Sequence, residues 1–367
     1  MACTNVTMAL RSYRSLVGSH PVSSELNLLV VPGVHTPDAH KDQLGFSPIC
    51  LNVTIGPTVI SDTDPLVFDY SSNSNHMTMI NAQVLSINNK VTMVLNDVIM
   101  TCAYLPNMPP LLEMRPNEME ADQYGARTLI INGGAVVNCT LRDTYLIIVD
   151  GANLVIDNFQ VSNNNANNML QILKSVTTIT NTLFHNNWVD YIMFVLDNTL
   201  ETVFSNCTFS QNHMSTVTGL TMIQHAIGPL TITDSVFEGN YNLTILIDVS
   251  DGEVSIQDTT FINNNVIGGP LLQVSSSTFN MTNVTLTSDQ YEQVQYIVEF
   301  QSTKVSLTNV VFDDQPYVVK DVIACYEGDI TFNNVTNNVG GSGLIDCKYP
   351  GLCTIQGDQP NICPQQH

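Results

Sequence analysis

The sequence predicts an all-β fold, a parallel β-helix built from coils of about 25 residues. Three observations carry that reading. A template apolar–x–Asn/Asp–x–x–Phe/Leu/Val–x–x–Asn/Asp recurs along the chain, as in Ile156-Asn158-Val161-Asn164 and Phe204-Asn206-Phe209-Asn212. Its sixth-position residues (Val161, Phe184, Phe209, Phe237, Phe261, Leu286, Phe312) lie 23, 25, 28, 24, 25 and 26 residues apart. A fixed period of this size means that each unit buries its apolar face against its neighbours. Within a unit, apolar and polar residues alternate over short β-branched stretches such as Thr244–Val249 and Glu253–Asp258, broken by Asn, Gly and Ser. That is strand periodicity, and two or three strands per unit make one coil.

The elements follow in order. Leu10, Tyr13, Leu16 and Val17 fall at helical spacing before Gly18, so residues 1–24 predict a short helical cap over the open end. Residues 25–345 are read as the β-helix, opening at Leu28–Val34 and Val53–Ile60 and continuing through Val94-Asn96-Ile99 and Val136-Asn138-Leu141. Between these last two, the Met/Pro-rich stretch 104–126 predicts a lateral loop, which covers the wall or grips a partner. Residues 346–367 read as a Cys-rich, disulfide-tied cap.

The third template position is occupied by Asn158, Asn181, Asn206, Asp234, Asp258, Asn283 and Asn309. It shares the parity of the inward apolar residue, so these side chains are expected to form an inward ladder at a bend. A buried amide without partners costs about 1–3 kcal/mol, so such a ladder must be nearly complete.

Charge narrows the partners. The net charge is −22, only 12% of residues are charged, and Lys174 is the sole Lys or Arg between residues 151 and 300. Nucleic acid and acidic membranes are excluded as partners on that balance. Polarity comes from 39 Asn and 62 Ser plus Thr, and no stretch reads as a transmembrane segment. Met1–Asn5 lacks a leader pattern, so either the chain begins after processing or export uses another route.

Eight Asn-x-Thr sequons occur, about the number expected by chance, but none uses Ser. The ladder reading sorts them. Asn138, Asn206, Asn283 and Asn334 are expected buried and bare, whereas Asn5, Asn52, Asn242 and Asn280 are the expected glycan carriers. Of the nine cysteines, Cys325 and Cys347 align one coil apart, giving expected bridges Cys325–Cys347 and Cys353–Cys363. A zinc site at these four is the rival reading, though their spacing lacks paired knuckles. Cys3, Cys50 and Cys102 are candidates for one more bridge, and Cys139 and Cys207 are expected as buried thiols.

The Val53–Ile60 run and the Ile-x-Asn ladder resemble the pectin-lyase-like, right-handed parallel β-helix superfamily. The Phe-x-x-Asn tetrads beside Gly133-Gly134-Ala135-Val136 and Gly268-Gly269-Pro270-Leu271 also resemble repeats of bacterial polymorphic outer-membrane adhesins. The resemblance spans residues 25–345. It implies the fold, while its members range over lyases, hydrolases, adhesins and inert scaffolds.

The enzymes among them use carboxylates with a basic residue or bound Ca²⁺ in a lateral groove, and no Arg follows Arg142 here. Trp188-Val189-Asp190-Tyr191 is similar to a lyase Trp-Ile-Asp-His stretch but lacks its His. His35–His40 reads as a polar loop, Asp313-Asp314 as a solvated turn that also suits Ca²⁺, and Trp188 as a packing residue that also suits a sugar. His185 and His213 occupy different template positions and are not expected to share a ligand. No catalytic residue, cofactor or metal site is therefore assigned. The first functional expectation is a non-catalytic, secreted or cell-surface glycoprotein that self-associates or binds extracellular-matrix or surface glycans. A polysaccharide-active or carbohydrate-binding protein is the alternative, and a viral fibre or spike the third.

Overall fold

The structure is a computed structural model. It describes residues 24–30, 33–35, 44–45, 51–57, 66–69, 80–81, 91–102, 110–114, 127–214, 221–287, 290–292, 295–313, 321–340, 343–349 and 351–358. The expected helical cap before residue 24 lies outside them. The chain divides into two compact units, residues 1–183 and 184–367.

In the first unit every described strand pairs in parallel. Val91–Thr101 lies on Arg127–Val137, Thr140–Asp150 on Asn165–Leu173, and Asn153–Asp157 on Val176–Thr180. Within 104–126, expected as a lateral loop, Leu112–Met114 instead forms a coil strand beside Ile147–Val149, and Leu111, Leu112 and Met114 are core residues. Cys139, expected as a thiol, is bonded to Cys102 across 4.4 Å of Cα separation. The register Thr101↔Val137 brings the two cysteines to the same corner of adjacent coils.

The second unit stacks Thr221–Thr233, Ile245–Gln257, Thr278–Thr287, Val298–Asp313 and Asp321–Asn333 in parallel, with a register shift only between the last two. Its core contains a column of buried rings at the sixth template position. Phe184, Phe209, Phe237 and Phe261 stack at centroid distances of 5.1, 4.5 and 4.9 Å. Phe194 packs edge-on against the first two.

The ladder is where the structure corrects the sequence. Asn206, Asp234, Asp258, Asn283 and Asn309 have φ between 48° and 55° and are exposed, as are Asn158 and Asn181 in the first unit. A left-handed residue turns the chain through a corner and resets the in–out alternation. The next residue, Cys207, Ser235, Thr259, Val284 or Val310, then points inward instead. The exposed amides still stack, Asn283 Nδ2 donating to Asp258 Oδ1 at 2.8 Å and Asn309 Nδ2 to Asn283 Oδ1 at 2.8 Å.

The inward ladder occupies the last template position, through Asn187, Asn212, Asn240 and Asn264. Asn212 shows its logic. Its Nδ2 donates to Asn240 Oδ1 (3.0 Å) and to the Phe184 carbonyl (3.0 Å). Its Oδ1 accepts from Asn187 Nδ2 (2.9 Å) and from the Asn187 backbone N–H (3.2 Å). All four valences are used, which is what a buried amide requires. In the first unit Asn164 bonds the Val136 carbonyl and the Cys139 N–H in the same way.

The C-terminal bridges also differ from expectation. Cys325 is in register with Cys347 but is bonded to Cys353, with a Cα separation of 6.3 Å. In-register side chains point the same way, so their Cβ atoms stay about 4.8 Å apart, beyond the roughly 3.5–4.5 Å a disulfide needs. Cys353 opens the next strand, beyond the bend, and faces Cys325 from across it. The Cys353–Cys363 pairing is thereby excluded, and Cys347 is itself disulfide-bonded. Cys207 is a buried thiol, as expected. At the same bend Gly328 (φ 135°) passes so close that a Cβ would lie 2.0 Å from the Thr303 carbonyl oxygen, so only glycine fits.

Two outcomes are expected. Asn212→Leu strands donors and acceptors above and below it and should cost about 3 kcal/mol or more, whereas Asn309→Gly keeps the corner and should cost under about 1 kcal/mol. Urea unfolding of both variants checks this. His225, buried in the column Leu196–His225–Val249, is bonded to the Gly228 carbonyl at 2.8 Å through Nε2, while Nδ1 has no partner among the described residues. Burial holds its pKa below the ordinary value despite the Gly228 bond and the Asp197 charge. Stability should therefore be full above about pH 6.5 and fall as pH drops through the depressed folded pKa. His225→Val should flatten that dependence when the urea midpoint is compared at neutral and acidic pH.

Candidate functional site

Parallel register turns each outward position into a column. One column reads Gln224↔Asp248↔Gln273↔Glu299↔Ala324↔Asp346. Asp248 and Glu299 are half-buried, and burial pushes both carboxyls up in pKa, with Lys348 pulling Glu299 partly back. Sequence reading missed this column. Its signal is the residue following each inward Ile247, Leu272, Val298, Ile323 and Ile345, which becomes a column only once those five are in register.

Glu299 lies in a cluster. Asp346 Oδ2 accepts from Tyr296 Oη at 2.8 Å and pairs with Lys348 Nζ at 3.1 Å. Lys348 also bonds Tyr296 and lies 4.1 Å from its ring centroid. Burial alone would lower the Lys348 pKa, but these bonds outweigh it and raise it. A register shift between Phe300/Cys325 and Gln301/Glu327 bulges Tyr326 out of its strand. Burial and the Glu299 charge raise its phenol, and Tyr349 meets it edge-on at 6.0 Å. The fully buried Ala324 separates Glu299, poised toward its neutral form, from Asp346, which pairs with Lys348.

A second feature lies on another wall. Trp188, His213 and Tyr241 each follow a buried Asn and are paired strand to strand. Their rings stack at 5.4 and 4.9 Å. Trp188 is 43% exposed and the nearby Tyr191 53%, so the tryptophan does not pack beneath a loop. His185 is separate, with Nδ1 against Ser210 Oγ at 2.9 Å.

The other expected positions resolve as follows. Asn138, Asn206, Asn283 and Asn334 are exposed, whereas Asn242 and Asn280 are half-buried, which inverts the accessibility assigned from the ladder. Asn52 lies in the strand Leu51–Pro57, and Asn5 lies outside the described residues. Asp313 accepts from Asn338 Nδ2, and Asp314 is outside the described residues. Among the described residues, no three His, Cys, Asp or Glu are arranged to hold a metal. No described helix is long and apolar enough to cross a membrane.

Coils stacked in parallel register, with buried columns inside and polar columns outside, define a right-handed parallel β-helix protein. Residues 128–290 match the family described as the right handed beta helix region. Among solved structures the chain is similar to the catalytic unit of a thermostable GH87 alpha-1,3-glucanase from Streptomyces thermodiastaticus (14% identity, TM-score 0.39, covering 98% of this chain and 66% of that one). It is also similar to the A-module of the Azotobacter vinelandii mannuronan C-5 epimerase AlgE6 (8%, TM-score 0.32, 87% and 92%). A third is the Streptococcus pneumoniae surface protein and adhesin PfbA (12%, TM-score 0.26, 96% and 95%). At these identities the likeness concerns the fold alone. No curated protein matches the sequence.

The stack makes a spectroscopic prediction. Trp188 is the only tryptophan, and burial lowers the pKa of the His213 against it. Its fluorescence should titrate with a midpoint below about 6.5, the ordinary histidine value. His213→Asn should abolish the transition. A midpoint above that value would mean instead that the rings hold the imidazolium by cation–π attraction.

Proposed function

We propose that the protein is a non-catalytic extracellular structural or adhesive β-helix, secreted or held at a cell surface, that self-associates or grips matrix or surface glycans. The observation carrying this reading is the exposed Trp188–His213–Tyr241 stack, with a further exposed aromatic, Tyr191, in the same strand as Trp188. Large aromatic side chains in solvent are the residue types that dominate binding surfaces. The disulfides Cys102–Cys139 and Cys325–Cys353 fit an oxidising compartment. The exposed sequons Asn138, Asn206, Asn283 and Asn334 suit glycosylation, and the reading needs no cofactor. Trp188→Ala with Tyr191→Ala should weaken binding to immobilised matrix proteins or glycans at least tenfold without changing the melting temperature. Equal binding by the double variant, or a wild-type chain that binds no surface and stays monomeric, would sink the idea.

A second reading, a polysaccharide-active or carbohydrate-binding protein, is favoured by Glu299, which burial pushes toward its neutral form, with Asp346 two coils further along the same column. Two strand spacings set them about 9.6 Å apart along the column, at the upper end of the separation between the carboxyls of inverting glycosidases. Under that reading the wild type releases reducing ends from a polysaccharide and Glu299→Gln does not, with binding retained.

A further inference from the structure

On the outward face of the second unit, one column runs Thr231, Ser255, Asn280, Ser306 and Thr331. Two residues on, a second runs Thr233, Gln257, Thr282, Thr308 and Asn333. The residues between the columns, Ile232, Ile256, Met281, Leu307 and Phe332, are buried, so both columns point away from the core. We infer that this strip docks onto the ordered hydroxyl surface of a neutral polysaccharide. The inference rests on the adhesive reading above and names its partner.

Three features argue for that occupant. The first is charge. The chain carries 11 basic and 33 acidic residues, yet none stands in either column. Charge resumes only at the borders, with Glu253, Lys304 and Asp329 along one edge and Asp234 and Asp258 along the other. An ionic partner finds nothing to pair with, and a protein finds no apolar anchor.

The second is regularity. Register across the strip is unbroken, so side chains repeat at about 4.8 Å between coils and about 6.7 Å along a strand. The third is hydrogen-bonding capacity. Thr233 bonds Ser205 and Gln257 bonds Asp258, while the hydroxyls of Ser255, Thr282, Ser306 and Thr308 make no hydrogen bond among the described residues. A neutral hydrogen bond contributes only about 0.5–1.5 kcal/mol net, so useful affinity demands many made at once. A rigid lattice therefore selects an ordered surface over a free oligosaccharide. It also requires Asn280, in mid-strip, to be bare of glycan when the protein binds.

The test is retention of the full chain on microcrystalline cellulose and on chitin, with Asn280 occupancy read by mass spectrometry. Wild type should be retained, and soluble oligosaccharides of the same sugars should not compete. Ser306→Glu and Ser306→Lys should each reduce retention at least tenfold, the opposite charges ruling out simple electrostatics. Thr260→Lys, on the adjoining face, should bind as wild type with an unchanged melting temperature. Equal binding by the Ser306 variants, equal loss in Thr260→Lys, or retention by chains glycosylated at Asn280 overturns the proposal. So does adsorption to ice with none to polysaccharide. If retention fails while Trp188-dependent adhesion persists, the strip is refuted and the adhesive reading stands. If both fail, both fall.

Discussion

Everything in this protein depends on satisfying a buried amide at a corner. A coil must turn repeatedly without leaving polar backbone unpaired in a dry core. In the second unit the turn before the core is made by a left-handed residue, Asn186, Gln211, Gly239 or Asn263. The next residue is a buried Asn whose side chain bonds the coils on either side. Such an amide stabilises only because its neighbours are identical and in register. One missing rung would expose two others to the full desolvation cost. The ladder thus couples register to stability, and the phenylalanine column adds packing on the same spacing.

Once register is set, function follows from columns instead of from motifs. Residues about 25 apart in sequence become neighbours at strand distance, so any outward position can build a continuous surface. The same rule makes the half-buried Asp248–Gln273–Glu299 column, the Trp188–His213–Tyr241 stack and the uncharged strip. Departures from regularity add chemistry. The bulge at Tyr326 sets a phenol beside the Glu299 charge, and Lys348 brings a cation to an otherwise acidic wall.

Some of this was legible in the residues and some was not. Period and strand alternation identified the coils and the phenylalanine column, because each coil repeats the same inward residue. Parity failed at Asn206 and its equivalents, since a two-residue alternation takes no account of a left-handed corner. Coil spacing matches Cys325 to Cys347 but carries no information on the direction of the side chains. Leu112 reads as loop because the prolines around it outweigh a three-residue strand.

The sequence by itself determined the repeating coil, the β character, the column of buried rings and the low charge. These are local and periodic properties, written in every unit. Tertiary structure alone decided which Asn ladder faces inward, which cysteines meet, which sequons are exposed and which carboxyls are half-buried. Those depend on where a chain points after a corner, and one dihedral angle of the wrong sign exchanges inside for outside.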